Sequence, residues 1–263
     1  MKNAWKYVWT LLLAAGLWSC EEGDDLLDEE GYEVPATYTF TRDGASTVDY
    51  SGQTARLDML IEIGTYIKGQ ISAQQAIDST KVINMLSNSG NPFTAEALNN
   101  SGKQLLDKCA DKDLMLSYVY ELAAITADDT LALNPNRLYD KKGIEYWQLL
   151  EKGLMGSVFY SQVVSNYTLP SKIGDDQNIA LADGKNYRPA EHHWDEAFGY
   201  FGVPVDFPTN TTGIRFYGKY CNDRDPLVGT NAIMNAFIKG RAAITHQDSP
   251  TRDAMAKEVT SSI

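Results

Sequence analysis

Histidine and cysteine are scarce: the 263 residues hold three of each. A three-histidine zinc site would have to gather His192, His193 and His246, and adjacent residues on a helix cannot point the same way. No Cys-x-x-Cys, His-Glu-x-x-His or Gly-x-Ser-x-Gly occurs, nor any Walker or dinucleotide glycine pattern. Dithiol redox, zincin, nucleophile-elbow and nucleotide chemistries therefore have no motif to rest on. Bases are short as well. The 23 Lys and Arg against 35 Asp and Glu leave a net charge of −12, the wrong sign for a phosphate-backbone partner, so no nucleic-acid role is expected. No apolar run reaches the roughly 20 residues that a membrane-spanning helix needs. With 43% hydrophobic and 22% charged residues, the chain is neither collagen-like, coiled-coil nor wholly disordered, and it is long enough to bury a core.

The acidic excess is concentrated near the N-terminus. Residues 1–20 carry only Lys2 and Lys6, residues 21–33 carry eight acids and no base, and residues 34–263 hold 27 acids against 21 bases. Met1 to Lys6 is a short positive region and Tyr7 to Trp18 an apolar one, the order of a secretory signal. Leu17-Trp18-Ser19-Cys20 resembles the lipobox of bacterial lipoproteins, which implies acylation of Cys20 and attachment without spanning. Glu21-Glu22-Gly23-Asp24-Asp25 resembles the acidic export signal of Bacteroidota lipoproteins; read without it, the stretch is a solvated tether. The expected organisation is a signal peptide (1–19), lipidated Cys20 with an unfolded acidic tether (20–36), and a helical domain (37–263). The expected location is the outer membrane, lipid-anchored and facing the exterior. In such a compartment Cys109 and Cys221 are a candidate disulfide, with two buried thiols the alternative.

Beyond the tether the spacing predicts an all-α protein. Tyr38 to Tyr50, around Asp43-Gly44, reads as a short hairpin. Leu57, Leu60, Ile61, Gly64 and Ile67 form a helical stripe over 54–68. Further helical pieces are predicted near 72–88, 94–99, 103–109 and 112–126, with the longest at 143–164 and a polar loop at 165–188. Pro189 opens a helix to about Tyr200, Pro226 another to about His246, and Pro250 a last one. That last helix is interrupted after thirteen residues, so the bundle is expected to be incomplete at its C-terminus. Asp78-Ser79-Thr80 and Asp129-Thr130-Leu131 resemble the Bacteroidota O-glycosylation sequence.

Polar residues on apolar helix faces carry the functional reading. In the helix from Gly143, the residues Gln148, Glu151 and Gln162 fall within the stripe of Ile144, Trp147, Leu154, Met155 and Val158. In the helix from Pro226, Asn231 and Arg241 fall within the stripe of Leu227, Met234, Phe237 and Ile238. A carboxylate so placed must be paired or bound to a cation, which makes Glu151 and Arg241 a candidate buried ion pair, with Gln148 and Tyr200 beside it. In the helix from Pro189, the residues His193, Glu196 and Tyr200 share a flank. His193 and Glu196 are three apart and can reach one point, half of a site for a divalent or ferric ion, with Glu151 a candidate third ligand. His192, four residues from Glu196, offers a competing pair.

The blocks Glu191 to Gly202, Glu151 to Gly156 and Lys239 to Ile244 resemble the Bacteroidota lipoprotein family of domain of unknown function 4856, itself similar to the imelysins with their Gly-x-His-x-x-Glu signature. The resemblance runs from about Tyr38 to the end. It implies an imelysin-like helical bundle with a His-x-x-Glu pocket and an association with iron acquisition; His193 and Glu196 match the motif, and Glu191 replaces its Gly. Three roles follow as expectations. The first is a surface lipoprotein that binds a metal ion or metal-bearing ligand beside an outer-membrane transporter. The others are a non-catalytic scaffold or adhesion lipoprotein, and an imelysin-like metallopeptidase. Binding is preferred to catalysis, because a metallopeptidase needs about three ligands and a base.

Overall fold

Asp43 and Gly44 both take positive φ, 52° and 78°, the two-residue turn whose twist suits a hairpin. They join β1 (Thr41–Arg42) to β2 (Ala45–Ser46), antiparallel with Thr41 opposite Ser46. The computed structural model describes residues 31–128, 137–224, 227 and 230–263. The signal region, Cys20 with the tether up to residue 30, and Asp129-Thr130-Leu131 lie outside the described residues. The tether's last residues are part of the fold. Tyr32 stacks on His246 at 4.5 Å and donates its hydroxyl to Asp248 at 2.8 Å, so the folded body starts before residue 37.

The rest is helical: α1 (Ser51–Ser72), α2 (Ser79–Ser87), α3 (Glu96–Asn99), α4 (Lys112–Thr126), α5 (Tyr146–Leu154), α6 (Pro170–Ile173), α7 (Pro189–Phe201), α8 (Phe216–Asp223), α9 (Thr230–His246) and α10 (Ser249–Ser262). Starts follow capping chemistry. Asp78 accepts from the backbone N–H of Thr80 and Lys81, so α2 begins at Ser79, later than the apolar spacing predicts, and this aspartate acts as a helix cap. Asp248 caps α10 ahead of Pro250. Pro189 fits the first turn of α7, where the Glu191 carboxylate accepts from the Arg188 N–H at 2.7 Å.

Several expectations need correction. The predicted helix 143–164 starts at Tyr146 and, past Leu154, widens into π-helical turns at Met155–Tyr160 and again at Val163–Tyr167. The 100° arithmetic therefore loses phase after Leu154. The predicted loop 165–188 contains the end of that π segment, α6 and a 3-10 turn at Asp175–Gln177. Helix α8 has no counterpart in the sequence reading, since Gly218 sits at its middle and only Gly218 and Cys221 are buried in it. Leu227, assigned to a buried stripe, is 85% exposed, and so is Ile61 in part.

Helix α7 is the centre of the fold, with nine of its thirteen residues buried. It packs on α1, α6, α8, α9 and the π segments. Two glycines allow close approaches to this helix and from it: a Cβ on Gly199 would lie 2.7 Å from Tyr50 Cβ, and one on Gly240 in α9 would lie 2.2 Å from the Trp194 ring.

Candidate functional site

The two polar flanks of α7 have different surroundings. One flank is sealed. Glu191, Asp195 and, from α9, Arg241 are wholly buried. The Arg241 Nε donates to Asp195 at 2.9 Å, its NH1 lies 3.3 Å from Glu191, and its NH2 donates to the Thr47 hydroxyl at 3.0 Å. Asp195 also accepts from the Tyr38 hydroxyl at 2.8 Å and the Asp49 N–H at 3.2 Å. The hairpin supplies a second guanidinium: Arg42 donates to Glu191 at 2.8 Å. Burial alone would raise the Glu191 carboxyl, but Arg241 and Arg42 outweigh it and bring it below its ordinary range. Burial pushes Asp195 up to about 6 despite Arg241. Every charge here is compensated by hydrogen-bonded neighbours, the condition under which buried ions persist.

This network corrects the Glu151–Arg241 pair. Glu151 instead faces Lys152 at 2.6 Å and Lys68 at 3.9 Å, while Arg241 is committed to Asp195 and Glu191. The physical reason is that α5 packs chiefly against α4 and continues into the π segment, while α7 is the helix packed on α9. Gln148 is half-buried on α5 and does not join Arg241. Glu151 is likewise not brought to His193. Cys109 and Cys221 are not joined to each other: Cys109 follows the 3-10 turn Leu106–Lys108 and faces Ser157, and Cys221 lies on α8.

The other flank is half-open. The Gln53 amide, on α1, donates to Glu196 at 2.9 Å and to the Tyr167 hydroxyl at 3.3 Å. Nδ1 of His193 donates to the second Glu196 oxygen at 3.1 Å. His192 lies at 4.0 Å from Glu196 and stacks on Tyr187 at 4.6 Å. Burial would raise Glu196, but the hydrogen bond from His193 together with His192 and Gln53 brings it below the ordinary carboxylate range. An ionised Glu196 can only accept, so Nδ1 of His193 is the donor to it and Nε2 is the ring nitrogen that Glu196 does not use. The His193 side chain is 21% exposed. Burial lowers His192, whose Nδ1 makes no hydrogen bond of ordinary geometry among the described residues, although the Asp49 backbone faces it. Tyr167 packs near His193 with ring centres 6.2 Å apart. Tyr200 is fully buried behind it, stacked on Phe159 at 5.2 Å. Its hydroxyl lies near Arg56 without a well-formed bond, and burial raises it.

His193, Glu196 and Tyr200 thus share one region. Among the described residues, no three His, Cys, Asp or Glu side chains gather to hold a metal ion. Glu196 is placed to orient His193, and Nε2 is the donor that remains for a ligand. The sequence reading missed Gln53, Tyr167, Glu191 and Asp195 as participants. Helical spacing could have found three of them: Glu191 and Asp195 stand at i and i+4 to Phe198 at i+7, on the buried side of α7. Gln53 similarly precedes Leu57, Leu60 and Gly64 at helical spacing.

Among the described residues no helix is long and apolar enough to cross a membrane. No similar curated protein and no similar solved structure was found. The family described as Domain of unknown function (DUF4856) matches residues 35–135 and 123–263, which covers the network on both flanks of α7. The chain belongs to the DUF4856 family.

Proposed function

We propose that the protein is a surface-exposed lipoprotein, anchored in the outer membrane through Cys20, that binds a metal ion or a metal-bearing ligand through His193. It would serve as an accessory to iron or nutrient uptake beside an outer-membrane transporter. One observation carries the reading: Glu196 holds Nδ1 of a part-exposed His193 at 3.1 Å, the carboxylate–imidazole arrangement that orients metal-ligating histidines and raises their basicity. Nε2 would be the protein donor. Glu196, Gln53 and Tyr167 would keep the ring in place, and Glu151 is not among the ligands. A single well-oriented imidazole suits a metal that arrives already chelated better than a bare ion, which needs several protein donors.

The test is metal analysis of the purified full-length protein, followed by calorimetric titration with ferric ion, zinc and haem. Binding that is lost in His193→Ala and weakened in Glu196→Ala is expected. If none of the three binds and His193→Ala leaves growth on limiting iron unchanged, the proposal fails. The scaffold or adhesion reading would then take precedence, since it is favoured by the complete burial of Arg241, Glu191 and Asp195, whose role is cohesion. An imelysin-like peptidase would reveal itself by chelator-sensitive cleavage that disappears in Glu196→Ala.

A further inference from the structure

The loop that follows the 3-10 turn Asp175–Gln177 presents three adjacent apolar residues to water. Ile179 is 76% and Leu181 49% exposed, with exposed Ala180 between them. The tip is braced at both ends. Before it, Asn178 donates its Nδ2 to the Ile244 carbonyl at 2.5 Å and accepts at its backbone carbonyl from the Gln247 amide at 3.2 Å. Behind it, the Ala182 N–H donates to the Tyr187 carbonyl at 2.9 Å and the Lys185 N–H to the Ala182 carbonyl at 3.0 Å. A fold that fixes an apolar tip in water forgoes the burial that ordinarily stabilises such residues. Asp176, Asp183 and Lys185 flank it in sequence and are exposed, and an apolar patch with a polar rim marks a protein or membrane contact.

The N-terminal segment selects between the two. Tyr32 docks on the α9–α10 junction through His246 and Asp248. Ile179 shares a cleft with Gln247 and Ser249 of the same junction, so the apolar tip and the point where the chain from Cys20 joins the fold are neighbours. Residues 21–30 separate Cys20 from Gly31, where the described fold begins, and even fully extended they reach about 40 Å. An acyl anchor on Cys20 therefore keeps this end of the molecule near the bilayer, at an effective concentration that makes a small apolar contact sufficient. A short irregular loop cannot enter hydrocarbon deeply, because its backbone polar groups need water or headgroups. Shallow seating at the headgroup boundary suits Ile179 and Leu181 and leaves the flanking charges in water.

We propose that Ile179, Ala180 and Leu181 form a membrane-contact tip that seats against the lipid surface carrying the Cys20 anchor and so fixes which end of the bundle faces the bilayer. The inference rests on the lipoprotein reading of Cys20. Its test places the acylated protein in phosphatidylcholine vesicles containing acyl-brominated lipid, which quenches tryptophan on contact. Processing at Cys20 would remove Trp5, Trp9 and Trp18, and Trp147 and Trp194 are buried, so a tryptophan placed at 179 reports on its own surroundings. Ile179→Trp should lose fluorescence in the brominated vesicles, and adding Leu181→Asp should recover most of it. Tyr120→Trp, at an exposed position on α4, should keep its fluorescence. Equal quenching at both positions overturns the contact alone, as does no quenching at 179 in a protein that mass spectrometry shows to be acylated and that floats with the vesicles. A chain that carries no acyl mass and does not float overturns the lipoprotein reading, and the contact with it. A dimer in solution that Ile179→Ser dissociates assigns the tip to a second copy and equally overturns the proposal.

Discussion

Arg241 is the residue on which most of the buried charge converges. It faces two carboxylates, Asp195 and Glu191, at 0% exposure on both sides, and its own guanidinium is held charged because Asp195, Tyr38 and Glu191 outweigh the burial that would discharge it. Removing one member of such a set leaves uncompensated charge in a place water cannot reach. Arg241→Met should therefore destabilise the fold by about 3–5 kcal/mol, measured by denaturant unfolding. The loss should shrink when Asp195→Asn is added, because the amide carries no charge to strand. Additive losses in the double variant would show that Arg241 acts through packing alone. Glu191 belongs to the same argument: the fold uses its carboxylate to cap α7 and to join Arg42 to Arg241.

At the scale of elements, close approach sets the geometry of the core. Trp194 packs against the backbone of α9, with its Nε1 donating to the Phe237 carbonyl at 2.9 Å, and Gly240 leaves room for the ring. Gly240→Ala would drive a methyl to within 2.2 Å of that ring and should cost about 1–3 kcal/mol. Gly69→Ala, on α1 with open space around the new methyl, should be neutral or slightly stabilising by helix propensity. Thermal unfolding of the two variants separates the effects; equal melting temperatures would sink the packing argument. This pair also shows what could be read before folding. Helix starts at Pro189 and near Pro250, and the hairpin at Asp43-Gly44, follow from local chemistry and are present. The phase of the helix after Leu154 was not legible, because a π turn is a response to neighbours and leaves no mark in a 100° projection. Candidate partners failed for the same reason: His193 and Glu196 share a helix, so spacing alone unites them. Glu151 and Arg241 lie on different helices, and which helices pack is a tertiary fact.

The whole molecule responds to pH through groups of opposing sign, and one of them can be isolated. His192 is held neutral by burial, against the pull of Glu196 and Asp49. In the unfolded chain its imidazole titrates near 6.5, so between that value and the lower folded one the unfolded state binds more protons. Its contribution to stability is complete above 6.5 and is lost as the pH falls through the folded value. Glu196, lowered in the fold, adds a term of the same sign at more acid pH: present above 4.5, its ordinary value, and lost below. Asp195 opposes both. With its carboxyl raised to about 6 from 3.8, the folded state takes up the proton first, so its contribution grows as the pH falls through that window. The net slope mixes all three, and a difference between variants removes the common terms. Melting temperatures of the wild type and of His192→Asn, measured at constant ionic strength from pH 8 downward, should run parallel above about 6.5. Below it the wild type should lose stability faster than the variant, since only the wild type has an imidazole to protonate against its stack on Tyr187. Curves that stay parallel to pH 5 would mean that His192 is hydrated and charged in the fold, which would place the closed edge of the His193 flank at Tyr167 and leave the Tyr187 side open to solvent.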